Sequence, residues 1–182
     1  MYGCRDGLLK INQINAEREV VCIFMPLENN LGKKMLLETL KLLFKRDLHK
    51  LKTEIESYQH EERLWIVEKK IPNSAGNLCL HLIGNLNTYI GAEIGKTSYI
   101  RDRESEFLLK GIPKSELIRM IEETMLVVND SLDKMEEASL EDEYPLLVLE
   151  TKTSTGYLLV HLATHLTYHL GQINYHRRWV ES

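Results

Sequence analysis

The sequence predicts an all-α protein folded as a four-helix bundle. Two observations carry this expectation. Pro26, Pro72, Pro113 and Pro145 are the only prolines, and each stands shortly before a stretch with helical periodicity. Proline lacks an N–H and clashes with the preceding turn, so it marks helix boundaries. The four stretches also match in length, at about 20–27 residues or roughly 30–40 Å each. Matched lengths favour a bundle over a globin-like array.

Residues 1–34 show no sustained amphipathic period. Asn12, Asn15, Asn29 and Asn30 suit a coil, with Val20–Met25 as a short strand or surface segment. The domain division expected is therefore an irregular extension over 1–34 and the bundle over 35–182. Leu31-Gly32-Lys33-Lys34 can be encoded by a purine-rich, ribosome-binding stretch, which makes Met35 an alternative first residue.

The first helix is expected from about Met35 to Gln59. Leu36, Leu40, Leu43, Phe44, Leu48, Leu51, Ile55 and Tyr58 recur at three- and four-residue steps. Lys41, Lys45, Arg46 and Lys52 mark its solvated face. The second runs from an N-cap at Ser74 to about Ile94, with Leu78, Leu82, Leu86 and Tyr89 along one stripe. The third starts near Lys114 and places Ile121, Met125, Val128, Leu132 and Met135 in a 4-3-4-3 rhythm. The fourth spans about Thr153 to Val180, with Leu158, Leu162, Leu166 and Ile173 inward. Gly95–Pro113 is too long for a tight hairpin. At about 3.3 Å per residue it can return along a bundle and leave helices two and three parallel. Pro145–Leu149 reads as a short buried extended piece.

At 182 residues the chain suits one domain of ordinary size, and 43% hydrophobic residues suffice for one core. A net charge of −4 argues against a general nucleic-acid binder. Cys4, Cys22 and Cys79 are an odd count without C-x-x-C spacing, which points to a reducing compartment. No apolar run approaches the roughly 18 residues of a membrane span. The expectation is a soluble, cytoplasmic protein with neither nucleic acid nor membrane as partner.

Histidines carry the candidate chemistry. His161, His165, His169 and His176 lie within 16 residues of the seven-histidine chain. On a helix they fall within an arc of about 80°, beside the apolar face, with Tyr168 and Gln172 in the same sector. One helical turn presents two imidazoles of an H-x-x-x-H pair to one ion. His81, in an otherwise apolar turn of the second helix, is the natural third ligand, because an unpaired imidazole there is disfavoured. Cys79 points about 160° away and reads as core. Three imidazoles without a fourth protein ligand leave an open position, as a catalytic zinc site does. Nitrogen-only ligation suits Zn²⁺ or Ni²⁺.

The run His165-Leu-Thr-Tyr-His169-Leu-Gly171-Gln172, with a histidine on the second helix of a bundle, resembles the DinB/YfiT-like superfamily, and its bacterial members most. The likeness covers about Met35 to the C-terminus. It implies an up-down-down-up bundle, a homodimer, and a metal site of His81, His165 and His169. His161, one turn before the family's pair, is then pocket lining or an outer support. Asn85 and Gln172 are further pocket candidates that could orient a ligand. The resemblance also implies thiol S-transfer, in which a low-molecular-weight thiol meets a small-molecule electrophile. The alternatives are a metal-dependent hydrolase using ion-activated hydroxide, and a non-catalytic metal-binding dimer. No general base is identifiable from spacing. Arg101 and Arg103 read as a solvated pair with Asp102 or Glu104, or as a carboxylate grip. Tyr175 and Trp179 suggest packing or a dimer contact.

Overall fold

The computed structural model describes residues 30–67 and 71–182. The chain is helical, and no strand occurs among the described residues beyond an isolated bridge between Glu143 and Ser154. Five helices follow in order: α1 (Asn30–Glu56), α2 (Ala75–Leu86), α3 (Arg103–Leu108), α4 (Lys114–Asp133) and α5 (Thr155–Val180). Four are long, because α2 runs on through a π-turn over Asn87–Ala92. No helix among the described residues is long and apolar enough to cross a membrane.

Helix starts follow local chemistry. Ser74 accepts from the Asn77 N–H at 3.2 Å, and Ser154 accepts from Tyr157 N–H at 3.2 Å, so each serine satisfies a donor that the first turn leaves free. Helix α1 begins at Asn30, five residues ahead of the expected Met35. The Val20–Met25 segment and the extension up to Asn29 lie outside the described residues. Along α1 the buried apolar set is Leu37, Leu40, Phe44, Leu48, Leu51 and Ile55, continued by Tyr58 two residues past its end. Leu37 takes the place expected of Leu36, which is 40% exposed, because Leu37 continues the step down from Leu40.

Every residue of α2 from Ala75 to Leu86 is buried, the mark of a helix enclosed on all sides. It packs against α3, α4 and α5, while α1 packs against α4 and α5. Pairings across these contacts give the helix directions. Asp47 meets Thr167 and Glu54 meets Asn174, so α1 and α5 run together. Lys41 pairs with Asp133 and Lys52 with Glu122, so α4 opposes α1. Asn87 donates to Thr124 while Gly95 lies on Ser131, so α2 and α4 run the same way.

Two connections differ from expectation. The long segment after α2 is not structureless, since it contains α3, which packs on α2. Of the segment Pro145–Leu149 expected to be buried, Pro145, Leu146 and Leu147 are exposed, and only Val148 and Leu149 are half-buried, Val148 against the core. Tyr144 is buried instead, and its hydroxyl donates to the Tyr89 carbonyl at 2.7 Å. An aromatic ring fills the gap with its polar tip satisfied, which the aliphatic run beside it does not do.

Candidate metal centre

The 3.6-residue repeat of α5 sets His161, His165 and His169 on successive turns of one face. Helix α2 brings His81, 8% exposed, against them. Nε2 of His165 stands 3.4 Å from Nε2 of His81 and 3.1 Å from Nε2 of His169. The candidate ligand atoms of these three residues all lie within 4.8 Å of one another. Two nitrogens bound to one tetrahedral Zn²⁺ at about 2.05 Å would stand about 3.3 Å apart. The spacing of the imidazoles therefore fits an ion of that kind.

The outer nitrogens explain why these rings face inward. Nδ1 of His81 lies 3.0 Å from Glu106 Oε2 and 3.3 Å from Nη2 of Arg101. Only the carboxylate can accept, so the proton sits on Nδ1 and Nε2 is left free toward the centre. Glu106 is 6% exposed and held at both oxygens by Arg101, at 2.6 and 2.9 Å. Burial opposes its charge, but hydrogen bonds from His81 and Arg101 outweigh that and hold its carboxyl below the usual range. On the other side, Nδ1 of His169 donates to Gln172 Oε1 at 2.6 Å. Gln172 in turn donates to the Tyr168 hydroxyl at 3.1 Å. Carboxylate–histidine pairs of this kind orient metal ligands and raise their basicity.

Glu106 was not among the residues singled out from the sequence. It lies on a short helix within the long connection, 25 residues from His81. The trace it leaves is Gly84, in the middle of a buried helix where glycine is otherwise unfavourable. A Cβ there would overlap the Glu106 carboxylate and come within 2.8 Å of its carboxyl carbon. Arg101 is correspondingly not in a solvated pair with Asp102 or Glu104. Its side chain is 13% exposed, paired with Glu106 and stacked on the Tyr89 ring at 5.7 Å. Asp102 instead caps α3 by accepting from Ser105 N–H.

The other expected residues divide. His161 stacks its ring on His165 at 6.1 Å and is not in the convergent group. Asn85 is buried, and its Oδ1, like Nδ1 of His165, has no hydrogen-bond partner among the described residues. His176 is turned away to a packing role. The Tyr58 hydroxyl donates to its Nδ1 at 2.7 Å and its Nε2 donates to the Ile66 carbonyl at 2.9 Å. Cys79 is fully buried core, and burial pushes its thiol up to about 12.

Burial, with the neighbouring His169 and His81, pushes His165 down to about 4. Burial also lowers His169 and His176. Between the ordinary histidine value near 6.5 and these lowered values, the unfolded chain binds more protons than the fold. Stability therefore rises with pH across that window. Metal-free protein is expected to lose about 1–2 kcal/mol from pH 7 to pH 5, a figure reduced because the His165 and His169 rings are partly exposed to solvent. The corresponding fall in Tm is about 2–8 °C. Thermal melts in chelator check this, and a Tm that holds or rises on acidification would contradict it.

A family model described as "Protein of unknown function (DUF1572)" matches residues 30–182. No curated protein and no solved structure matches the chain.

Proposed function

The chain belongs to the DUF1572 family, and from that premise we propose that it is a divalent-metal enzyme of DinB/YfiT-like type catalysing thiol S-transfer. We read the pairwise helix directions as an up-down-down-up four-helix bundle, the arrangement of that superfamily. The supporting observation is the convergence of His81, His165 and His169, three imidazoles with no carboxylate or thiol in their group among the described residues. Zn²⁺ or Ni²⁺ suits such a nitrogen-only set.

An ion held there supplies Lewis acidity strong enough to keep a small thiol ionised at neutral pH. The protein's own groups position it. Glu106 and Arg101 fix the His81 ring, Gln172 fixes His169, and the Phe107 ring at 5.2 Å covers one side of His81. Neutral imidazoles leave the ion's double charge undiminished, which favours an anionic thiolate. In the reaction the thiol sulfur bonds to the electrophile, the leaving group departs with its electron pair, and the thiol proton passes to solvent. A thiol ionises near 8.5 without help, whereas water ionises at 15.7 and depends wholly on the ion to bring it to about 7. Glu106 is not free to act as a base for water, because Arg101 and His81 occupy its oxygens. This favours thiol transfer over hydrolysis.

Protein purified without added metal is expected to carry about one equivalent of Zn²⁺ or Ni²⁺ by elemental analysis. A chromogenic electrophile is expected to turn over only with bacillithiol, glutathione or a simple thiol. Less than a tenth of an equivalent would sink the metal reading. Thiol-independent turnover would favour the hydrolase, and full occupancy without turnover would favour a non-catalytic binding protein.

A further inference from the structure

We propose that the cavity beside His169 seats an uncharged aromatic group, the non-reacting part of the electrophile. This rests on the metal-centred reading for its link to catalysis, though not for the binding itself. The cavity holds about 300 Å³, at the small end of ligand pockets. Its walls are Ile71, Pro72, Leu78, Tyr175 and Trp179.

Two features tie it to the centre. Leu78 precedes His81 by three residues on α2, and Gln172 follows His169 by three on α5. The helices run opposite ways, so both steps lead in the same direction, placing the cavity about one turn, or roughly 5 Å, along from the imidazoles. Gln172 also belongs to both places: its Oε1 accepts from His169 Nδ1 while the residue lines the cavity. A ligand seated there would touch the group that orients a candidate ligand of the ion.

The lining selects by charge. No Lys, Arg, Asp or Glu is among the described lining residues. Its polar members are Asn73, Gln172 and His176. Both His176 nitrogens are already engaged, with Tyr58 and Ile66, so its ring serves as a neutral wall. An ionised group would lose its hydration there without a counter-charge from any described lining residue, which is strongly disfavoured. The aromatic side chains Tyr175 and Trp179 instead offer flat apolar area for a ring.

The test is titration calorimetry with 4-nitrobenzyl alcohol and its anionic counterpart 4-nitrobenzoate, on full-length protein in chelator and again with one equivalent of Zn²⁺. The alcohol is expected to bind with similar affinity in both forms and the anion at least tenfold more weakly. Trp179→Ala and Tyr175→Ala should each weaken the alcohol at least fivefold. Tyr175 is 80% exposed, so its replacement leaves the fold intact. Absence of alcohol binding, equal binding of the anion, or insensitivity to both substitutions would overturn the cavity assignment. Self-association that excludes the alcohol and is abolished by Trp179→Ala would also overturn it, in favour of a second copy. Failure to take up Zn²⁺ with alcohol binding retained would instead remove the metal reading and leave the cavity standing.

Discussion

Glu106→Ala is expected to cost about 2–4 kcal/mol of stability and to weaken Zn²⁺ binding by about 10–100-fold. The two losses have different origins. Arg101 is 13% exposed on its side chain and its guanidinium is paired with Glu106. Removing the carboxylate leaves a mostly buried cation without its partner, the situation in which breaking an ion pair costs far more than the pair is worth. The metal effect arises at His81, whose Nδ1–H then lacks its acceptor, so ring orientation and tautomer are no longer set. Glu106→Gln separates them. It keeps an acceptor oxygen for His81 but not the charge for Arg101, so metal affinity should recover more than stability. Gly84→Ala reaches the same carboxylate from below, since its Cβ would overlap Glu106. It should therefore reproduce the metal defect without touching a titratable group. Urea unfolding of metal-free protein and competition with a chromogenic chelator read the two quantities. Zn²⁺ affinity within twofold of the parent for both Glu106→Ala and Gly84→Ala would mean that Glu106 serves packing alone.

The contrast between His81 and Glu106 shows what periodicity can and cannot reveal. His165 and His169 were legible because helical spacing is itself a statement about geometry: four residues return to the same face. His81 was legible because an imidazole in the run Leu80-His81-Leu82 has to be satisfied by something. The helix boundary at Ser74 followed from capping chemistry, and proline positions gave the order of the long helices, while the cap at Ser154 emerged only from the structure. Glu106 left no such mark. Its helix has six residues, too few for a period to emerge, and its partners lie on a different element. Contacts closed by chain return depend on where the connection lands, which local propensity does not encode. The one local sign was Gly84, an entropically costly residue inside a fully buried helix. The exposed Pro145–Leu147 segment failed for a related reason. An apolar run is compatible with burial but does not demand it, because folded surfaces retain much apolar area.

His81→Ala and His161→Ala should part sharply, and this is the strongest discrimination the four histidines permit. His81, His165 and His169 share one convergence point, whereas His161 lies outside it with its ring stacked on His165 at 6.1 Å. Zinc bound by four protein ligands is worth about 10–16 kcal/mol, so each ligand contributes about 2.5–4 kcal/mol. His81→Ala should accordingly lower Zn²⁺ affinity by about 10²–10³-fold, and His169→Ala likewise. His161→Ala removes only a stacking neighbour and should change affinity less than threefold. A Co²⁺-substituted protein gives the same answer spectroscopically: the visible bands of tetrahedral nitrogen ligation should vanish for His81→Ala and survive for His161→Ala. Since His81 is buried, its truncation also opens a cavity and removes one of the donors to the Glu106 carboxylate, which adds a fold effect to the loss. His81→Gln controls for that by retaining a side-chain N–H to Glu106 without an imidazole Nε2. If His81→Gln folds with the parent's urea midpoint and still binds Zn²⁺ within threefold, α2 supplies no ligand and the centre must be redrawn around α5 alone. If His161→Ala proves as damaging as His81→Ala, the ion sits one turn nearer the start of α5, with His161 and His165 as the pair.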